Sequence, residues 1–450
     1  MKTQFILRAT MVGVLAVCRP AFADEVADLK AEIAAQKQAA EAQKARLDAL
    51  EQKLNNMQVV QQQQQQAPQA AATPAATSSG LPAGLSFTQG TGLTYANQAG
   101  FMQLYGLIDI SYVHSNHADA AGDSLNTARV AWFSGNRWGL YGKRAMGDSG
   151  LNVIFRLESE FESQTGSMDT PGVLFNRDAW VGIENNTIGK LTFGRQNAIA
   201  RDPAASAIYG DPYGPAAPST EEGGYTNNNN FKQLIFYAGS ATGTRVDNGI
   251  TWKKEFNGGL LLGGQYQFGG VPGSPATGAT ETISLAYKGG ALNLAGFATN
   301  ANVAGLTNRS YSVGGNYTFG PVRLNTGYYH YTAEQGALGN RTDNAYTVSA
   351  RFAPAGKMDY ELGYQNMKAS NAAVNAGRNV LNAFGNASAA KATATGSRAT
   401  LYASAFYHFD KITEVYVAAD YLKLKDGYKV GVTNGFPSQT ELALGLRTRF

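Results

Sequence analysis

The chain has one cysteine, four histidines and, beyond its N-terminus, no long hydrophobic run. Each shortage excludes something. The single cysteine, Cys18, lies in a segment that reads as a cleavable leader, so the mature chain is expected to hold no thiol and no disulfide. Stability must then come from packing and backbone hydrogen bonds, as in a closed sheet. Without the roughly 20 consecutive apolar residues of a spanning helix, a helical membrane protein is excluded. A transmembrane barrel is not, because strand alternation dilutes its hydrophobicity to soluble-like values such as the 44% here. Charge of either sign is barely in excess. Losing Lys2, Arg8 and Arg19 with the leader takes the formal +4 to +1, and no basic tail or patch suggests nucleic acid.

Chemistry is equally sparse. Of His114, His117, His330 and His408, only the first two are close, and their spacing at a strand end sends them to opposite faces, so no metal site is expected. No Ser/His/Asp grouping stands in a distinctive context, and no enzyme activity is expected. Gly263-Gly264 falls in a strand pattern rather than a strand-to-helix loop, so no nucleotide or other cofactor is implied. Asn227–Asn230 reads as an extended external loop.

What is present divides into four segments. Lys2 and Arg8 precede the apolar stretch Ala9–Val17, and Ala21-Phe22-Ala23 offers a small-x-small cleavage site, giving a signal peptide over residues 1–23. Val17 is too large for the usual lipobox before Cys18. Over residues 24–57, Val26, Leu29, Ile33, Ala40, Leu47, Leu50, Leu54 and Met57 recur at three- and four-residue spacing, with Gln36 and Gln43 in the remaining core slots. The pattern predicts a helix reaching about 50 Å. It reads as a self-associating coiled coil or as one amphipathic helix lying on another surface. Residues 58–99, with Gln61–Gln66 and an Ala/Thr/Ser/Pro stretch, form a low-complexity linker.

From residue 100 the period becomes two. Met102, Leu104, Gly106, Ile108, Ile110 and Tyr112 alternate with Gln103, Tyr105, Leu107, Asp109 and Ser111. Val153, Phe155, Leu157 and Phe161 alternate with Arg156, Glu158, Glu160 and Glu162, whose face must be wet. The pattern recurs to the chain end, where Leu442, Leu444, Leu446, Thr448 and Phe450 oppose Glu441, Arg447 and Arg449. It predicts about sixteen strands joined alternately by short turns and long polar loops, the longest near 198–245 and 369–396. With 52 glycines and 44 tyrosines plus phenylalanines, the fold class is an all-β, 16-stranded antiparallel transmembrane β-barrel over 100–450, preceded by a short α-helical coiled coil. A soluble β-sandwich or propeller is the alternative.

Leu104–Asp109, Asn136–Gly142, Leu151–Phe161, Phe175-Asn176-Arg177 through Gly194-Arg195-Gln196, and the terminus Gly445–Phe450 together resemble general bacterial porins of the β-proteobacterial type. The coiled coil and linker depart from the usual short porin and are similar to porins carrying an N-terminal periplasmic helix, dicarboxylate-uptake types among them. The resemblance implies a homotrimer in the Gram-negative outer membrane, surrounded by lipid, passing small hydrophilic solutes passively with a preference for anions. It also implies an inward third loop between Asn197 and Thr244, carrying Asp202, Asp211, Glu221 and Glu222, opposite an arginine cluster matched by Arg137, Arg177 and Arg245. Arg156, Arg195, Glu158 and Glu160 are further wall candidates, and Phe450 marks the barrel terminus.

Alternation alone puts Arg137 on one face with Tyr141 and Trp138 with Leu140 on the other, and sets Arg177 opposite Trp180. Guanidinium stays charged and offers five donors, which suits transient contact with carboxylates or phosphates. The same arginines could instead only neutralise wall carboxylates such as Glu158 or Glu160. Arg195 could equally pair across a subunit interface. Two further readings stay open: a substrate-specific channel, for example for dicarboxylates, and an envelope tether whose coiled coil reaches peptidoglycan.

Overall fold

A computed structural model describes residues 83–88, 92–130, 132–201, 228, 240–354, 356–374, 385–429 and 435–450. The signal peptide, the coiled coil and the loop acids Asp202, Asp211, Glu221 and Glu222 lie outside the described residues.

The described strands are β1 (Leu85–Thr88), β2 (Gly92–Asn97), β3 (Gly100–Ser115), β4 (Leu125–Val130), β5 (Arg137–Ala145), β6 (Asn152–Glu160), β7 (Asp178–Asn185), β8 (Gly189–Asn197), β9 (Arg245–Glu255) and β10 (Leu260–Gln267). They continue as β11 (Thr280–Gly289), β12 (Leu292–Val303), β13 (Leu306–Phe319), β14 (Val322–Glu334), β15 (Asn340–Phe352), β16 (Met358–Ala373), β17 (Thr393–His408), β18 (Thr413–Asp426) and β19 (Ser438–Arg449). From β5 to β19 each strand pairs antiparallel with the next, and β19 returns to β3 with Glu441 opposite Ser115 and Arg449 opposite Leu107. The ring is closed through β3, β5 and β6 to β19, so no edge is left between those strands.

Sixteen positions make up the ring because β4 and β5 share one of them. β4 pairs with the upper half of β3, from Ile110 to Ser115, and β5 with its lower half, from Gly100 to Leu107. One of the sixteen expected strands is thus interrupted between Val130 and Arg137. A second departure lies at the N-terminal boundary. Residues 85–97, placed in the linker by composition, form the β1–β2 hairpin, and β2 pairs with Gly100–Leu104 below the point where β19 ends. Leu85, Phe87, Leu93 and Tyr95 supply the alternation, and β2 satisfies backbone groups of β3 that β19 does not reach.

The remaining strands fall close to their expected places because alternation continues to the turns. Ala304 and Gly305 both take positive φ, 53° and 86°, in the two-residue turn between β12 and β13. This connection is short although it lies at the end of the barrel where the others are long.

The outer face is apolar: Ile283, Val313, Val417 and Leu444 are each about 60% exposed. Buried polar groups and two apolar clusters fill the inner face. One cluster groups Phe297, Tyr329, Tyr331, Met367 and Leu422, and the other groups Trp132, Phe133, Phe406 and Tyr416. Closure is sealed at the terminus. Phe450 exchanges backbone hydrogen bonds of 2.9 and 3.1 Å with Gly106, and a Cβ at Gly106 would stand 2.1 Å from the Phe450 ring.

Candidate functional site

The inner wall of β5–β9 gathers charge. Arg177 stands one residue before β7, outside its regular alternation, and turns inward; its Nε donates to Glu158 and its Nη1 to Glu160. The other Glu158 oxygen accepts from the Tyr105 hydroxyl at 2.8 Å. Gly139 permits that reach, since a Cβ there would stand 2.7 Å from the tyrosine oxygen. Arg137 donates from Nε to the Gly135 carbonyl at 2.8 Å, and its charge acts on both glutamates. Arg245 opens β9 within electrostatic reach of Arg177, Arg201, Glu160 and Asp178, and among the described residues its Nε has no hydrogen-bond partner. Five arginines (137, 156, 177, 201 and 245) therefore meet three carboxylates (158, 160 and 178) on one wall.

Arg156 lies among rings, with its guanidinium carbon 5.9, 5.3 and 5.8 Å from the centroids of Tyr105, Tyr141 and Trp180. Asp178 stands 3.7 Å away. Trp180 thus faces inward, as its pairing with Arg156 and Gly194 requires, and not away from Arg177 as simple alternation suggested. The irregular entry to β7 causes the difference. Arg195 departs from expectation the other way. It pairs with Ala179 and shares the outer face with Phe193, so it is no lumen residue. There it forms an ion pair with Asp247 and donates 2.8 Å to the Asn176 carbonyl.

Asn228 lies on the opposite wall. Although it belongs to the β8–β9 connection, its side-chain amide donates to Asp420 on β18 at 3.0 Å, and its carbonyl accepts from Thr400 on β17. β9 and β17 stand eight strands apart in the ring of sixteen, so the connection at this residue has crossed the lumen. Asn228 is fully buried, which corrects its reading as part of an external loop; its neighbours 227, 229 and 230 lie outside the described residues.

The break between β4 and β5 also enters the lumen. Asp109 Oδ2 accepts from the backbone amides of Phe133 and Ser134 at 3.1 and 2.9 Å, and Tyr416 donates to Oδ1 at 2.6 Å. Phe133 then packs on Phe406 and Tyr416, with Arg447 lying over the Phe133 and Phe406 rings. Toward the short-turn end, Arg447 and Arg449 both meet Glu414. Sequence reasoning missed Asp109, Thr400, Asp420 and the inward Phe133. Asp109 left one signal, as a lone carboxylate on an inward face with no basic neighbour in sequence.

An apolar exterior around a closed ring, with a charged interior crossed by chain, is the architecture of a transmembrane β-barrel channel protein. Residues 70–427 match the Gram-negative porin family, and the chain belongs to it. That family places it in the Gram-negative outer membrane. An outer membrane porin protein of Bordetella pertussis is 32% identical over 264 residues, which are 51% of this chain and 63% of that protein. Among solved structures, an anion-selective porin from Comamonas acidovorans superposes with a TM-score of 0.58 at 20% identity, over 78% of this chain and 99% of that one. The trimer form of OmpT from Vibrio cholerae gives 0.55 at 15% identity, over 78% and 100%.

Proposed function

We propose that this protein forms a water-filled channel through the outer membrane for passive diffusion of small hydrophilic solutes, with a preference for anions. The short turns face the periplasm and the long connections face outward. The observation that carries the reading is the excess of arginine on the β5–β9 wall, facing a lumen narrowed by a connection anchored at Asn228. Five fixed guanidiniums against three carboxylates set a local positive potential even though the whole chain is nearly neutral. Arg137, Arg177 and Arg245 form its centre, and Arg156 extends it toward the periplasm. The anion selectivity in the description of the Comamonas porin supports the same reading.

The assembly is a homotrimer, in keeping with the trimer form described for the Vibrio protein, and the segment 24–57 is a periplasmic coiled coil behind a cleaved leader. Planar-bilayer recording under a salt gradient tests the channel reading. The expected reversal potential favours anions and moves toward the cation side in Arg137→Ala. Cation preference unchanged by that substitution overturns the arginine assignment. Deleting residues 24–84 is expected to leave single-channel conductance unchanged; flux that saturates at low solute would instead favour a substrate-specific channel.

A further inference from the structure

The connection that leaves β8 is held to the inner wall from its first turn. That turn, Ile199–Arg201, is a short 3-10 segment in which Ile199 and Ala200 are fully buried. Ala200 belongs to the apolar cluster that includes Phe297 and Ala301 of β12. Gly263 on β10 leaves room for Ile199, since a Cβ there would stand 3.2 Å from the isoleucine Cδ1. Gln265, two residues further along β10, holds the polar side of the turn. Its Oε1 accepts from the Ile199 amide at 3.0 Å, and its Nε2 donates to the Asn197 carbonyl at 3.0 Å and to Thr251 Oγ1 at 2.7 Å. The turn ends on Arg201, whose Nη1 donates to Asn197 Oδ1 at 2.7 Å. Asn197 stands opposite Arg245 in the β8–β9 ladder, so Arg201 is brought beside a second arginine.

Like charges repel, so a connection free to move would carry Arg201 away from Arg245. We propose that Gln265 is a positioning residue for ion selectivity: by clamping the first turn of the connection to β9 and β10, it holds Arg201 on the arginine wall. Arg201 is thereby a specificity-determining cation supplied by the connection and not by a strand. Three hydrogen bonds to one buried amide oppose the repulsion, and the seat of Ile199 over Gly263 fixes the depth of the turn. The clamp needs an amide. Holding the Ile199 amide takes an acceptor and holding the Asn197 carbonyl takes a donor, and only a side chain carrying both does the two at once. This role rests on the anion-channel reading above.

Two substitutions release the turn in different ways. Gln265→Met keeps the length and removes both donor and acceptor. Gly263→Val crowds Ile199 and the Ser284 hydroxyl and leaves the Gln265 amide in place. Purified full-length protein is recorded in planar bilayers under a potassium chloride gradient at low salt, and the chloride-to-potassium permeability ratio is read from the reversal potential. Arg201→Ala is expected to lower the ratio about twofold, the effect of one screened charge several ångströms from the ion path. Gln265→Met should lower it comparably while keeping the heat-resistant form. Added to Arg201→Ala, Gln265→Met should lower it no further, whereas a general loosening of the wall would act in both backgrounds. A ratio equal to wild type in Gln265→Met, or a further fall when it is added to Arg201→Ala, overturns the proposal. If Gln265→Met does not assemble, Gly263→Val alone and with Arg201→Ala carries the same comparison. A wild type without anion preference would defeat the channel reading; the difference between variants and wild type tests Gln265 whatever the sign of that preference.

Discussion

Arg177 holds two carboxylates at once, and its removal separates a structural role from an electrostatic one. Glu158 and Glu160 are close neighbours on β6, and Arg177 supplies a donor to each. Arg177→Ala leaves both facing a shared space with Tyr105, Arg137, Arg156 and Arg245 near. Removing one partner of a buried pair costs about 3 kcal/mol or more, because the uncompensated charge stays in place. The variant is therefore expected to lose heat resistance, read as a lower temperature for conversion to the unfolded band on a gel. It should also lose anion preference. Arg177→Ala combined with Glu158→Gln restores the net charge of the wall, so both heat resistance and selectivity should move back toward wild type. Recovery of heat resistance alone would show that the position of the charge, and not its sum, sets selectivity. Arg137 and Arg156 were visible in the sequence because their alternation with Trp138, Leu140 and Leu157 marks the wet face; Arg177 and Arg245 came from the family resemblance, and Arg201 was missed. Their partners were not visible, since strand pairing decides which glutamate each one meets.

Between β4 and β5 the chain leaves the ladder, and Asp109 holds it inside the barrel. The carboxylate accepts two backbone amides and one tyrosine hydroxyl, so the segment at 132–136 is anchored by polar contacts and packed by Phe133. Asp109→Ala removes three acceptor contacts together. The expected result is a segment free to leave the lumen, with higher single-channel conductance and more current noise. Conductance equal to wild type would place the narrowest point elsewhere. The C-terminal seam makes a second test at this scale. Gly106→Val puts carbon atoms where the Phe450 ring lies, so the ring must leave and the two backbone bonds at the seam weaken. The variant should assemble more slowly into the heat-resistant form, whereas Gly142→Ala, facing only the Phe155 ring, should be milder. Most strands were legible because alternation survives from turn to turn. The break at 131–136 and the β1–β2 hairpin were not, because each is fixed by what lies across from it on β3. A period of two says which face a residue takes and nothing about where pairing stops.

At the scale of the whole molecule, selectivity has to arise from placement, because the formal charge is small. The arginine wall occupies β5–β9, while Asn228 fixes the incoming connection to Thr400 and Asp420 on the far side of the ring. On the proposed reading, solutes pass along a wall whose potential extends only as far as salt allows. The screening length is about 10 Å at 0.1 M salt and about 3 Å at 1 M. If passing ions sense the wall through water, raising the salt at a fixed gradient ratio should bring the reversal potential close to zero. If they touch the guanidiniums, the paired donors act at hydrogen-bond range and most of the preference survives at 1 M. Arg245 separates the two, since its side chain stands half-buried on this wall. Arg245→Lys keeps the charge and removes the fork. Screened long-range attraction predicts little change at either salt concentration. Direct contact predicts that the part of the preference surviving at 1 M falls in this variant, while the part lost between 0.1 and 1 M stays the same. With five guanidiniums gathered on one wall, we expect the residual selectivity at high salt to be the quantity that Arg245→Lys reduces.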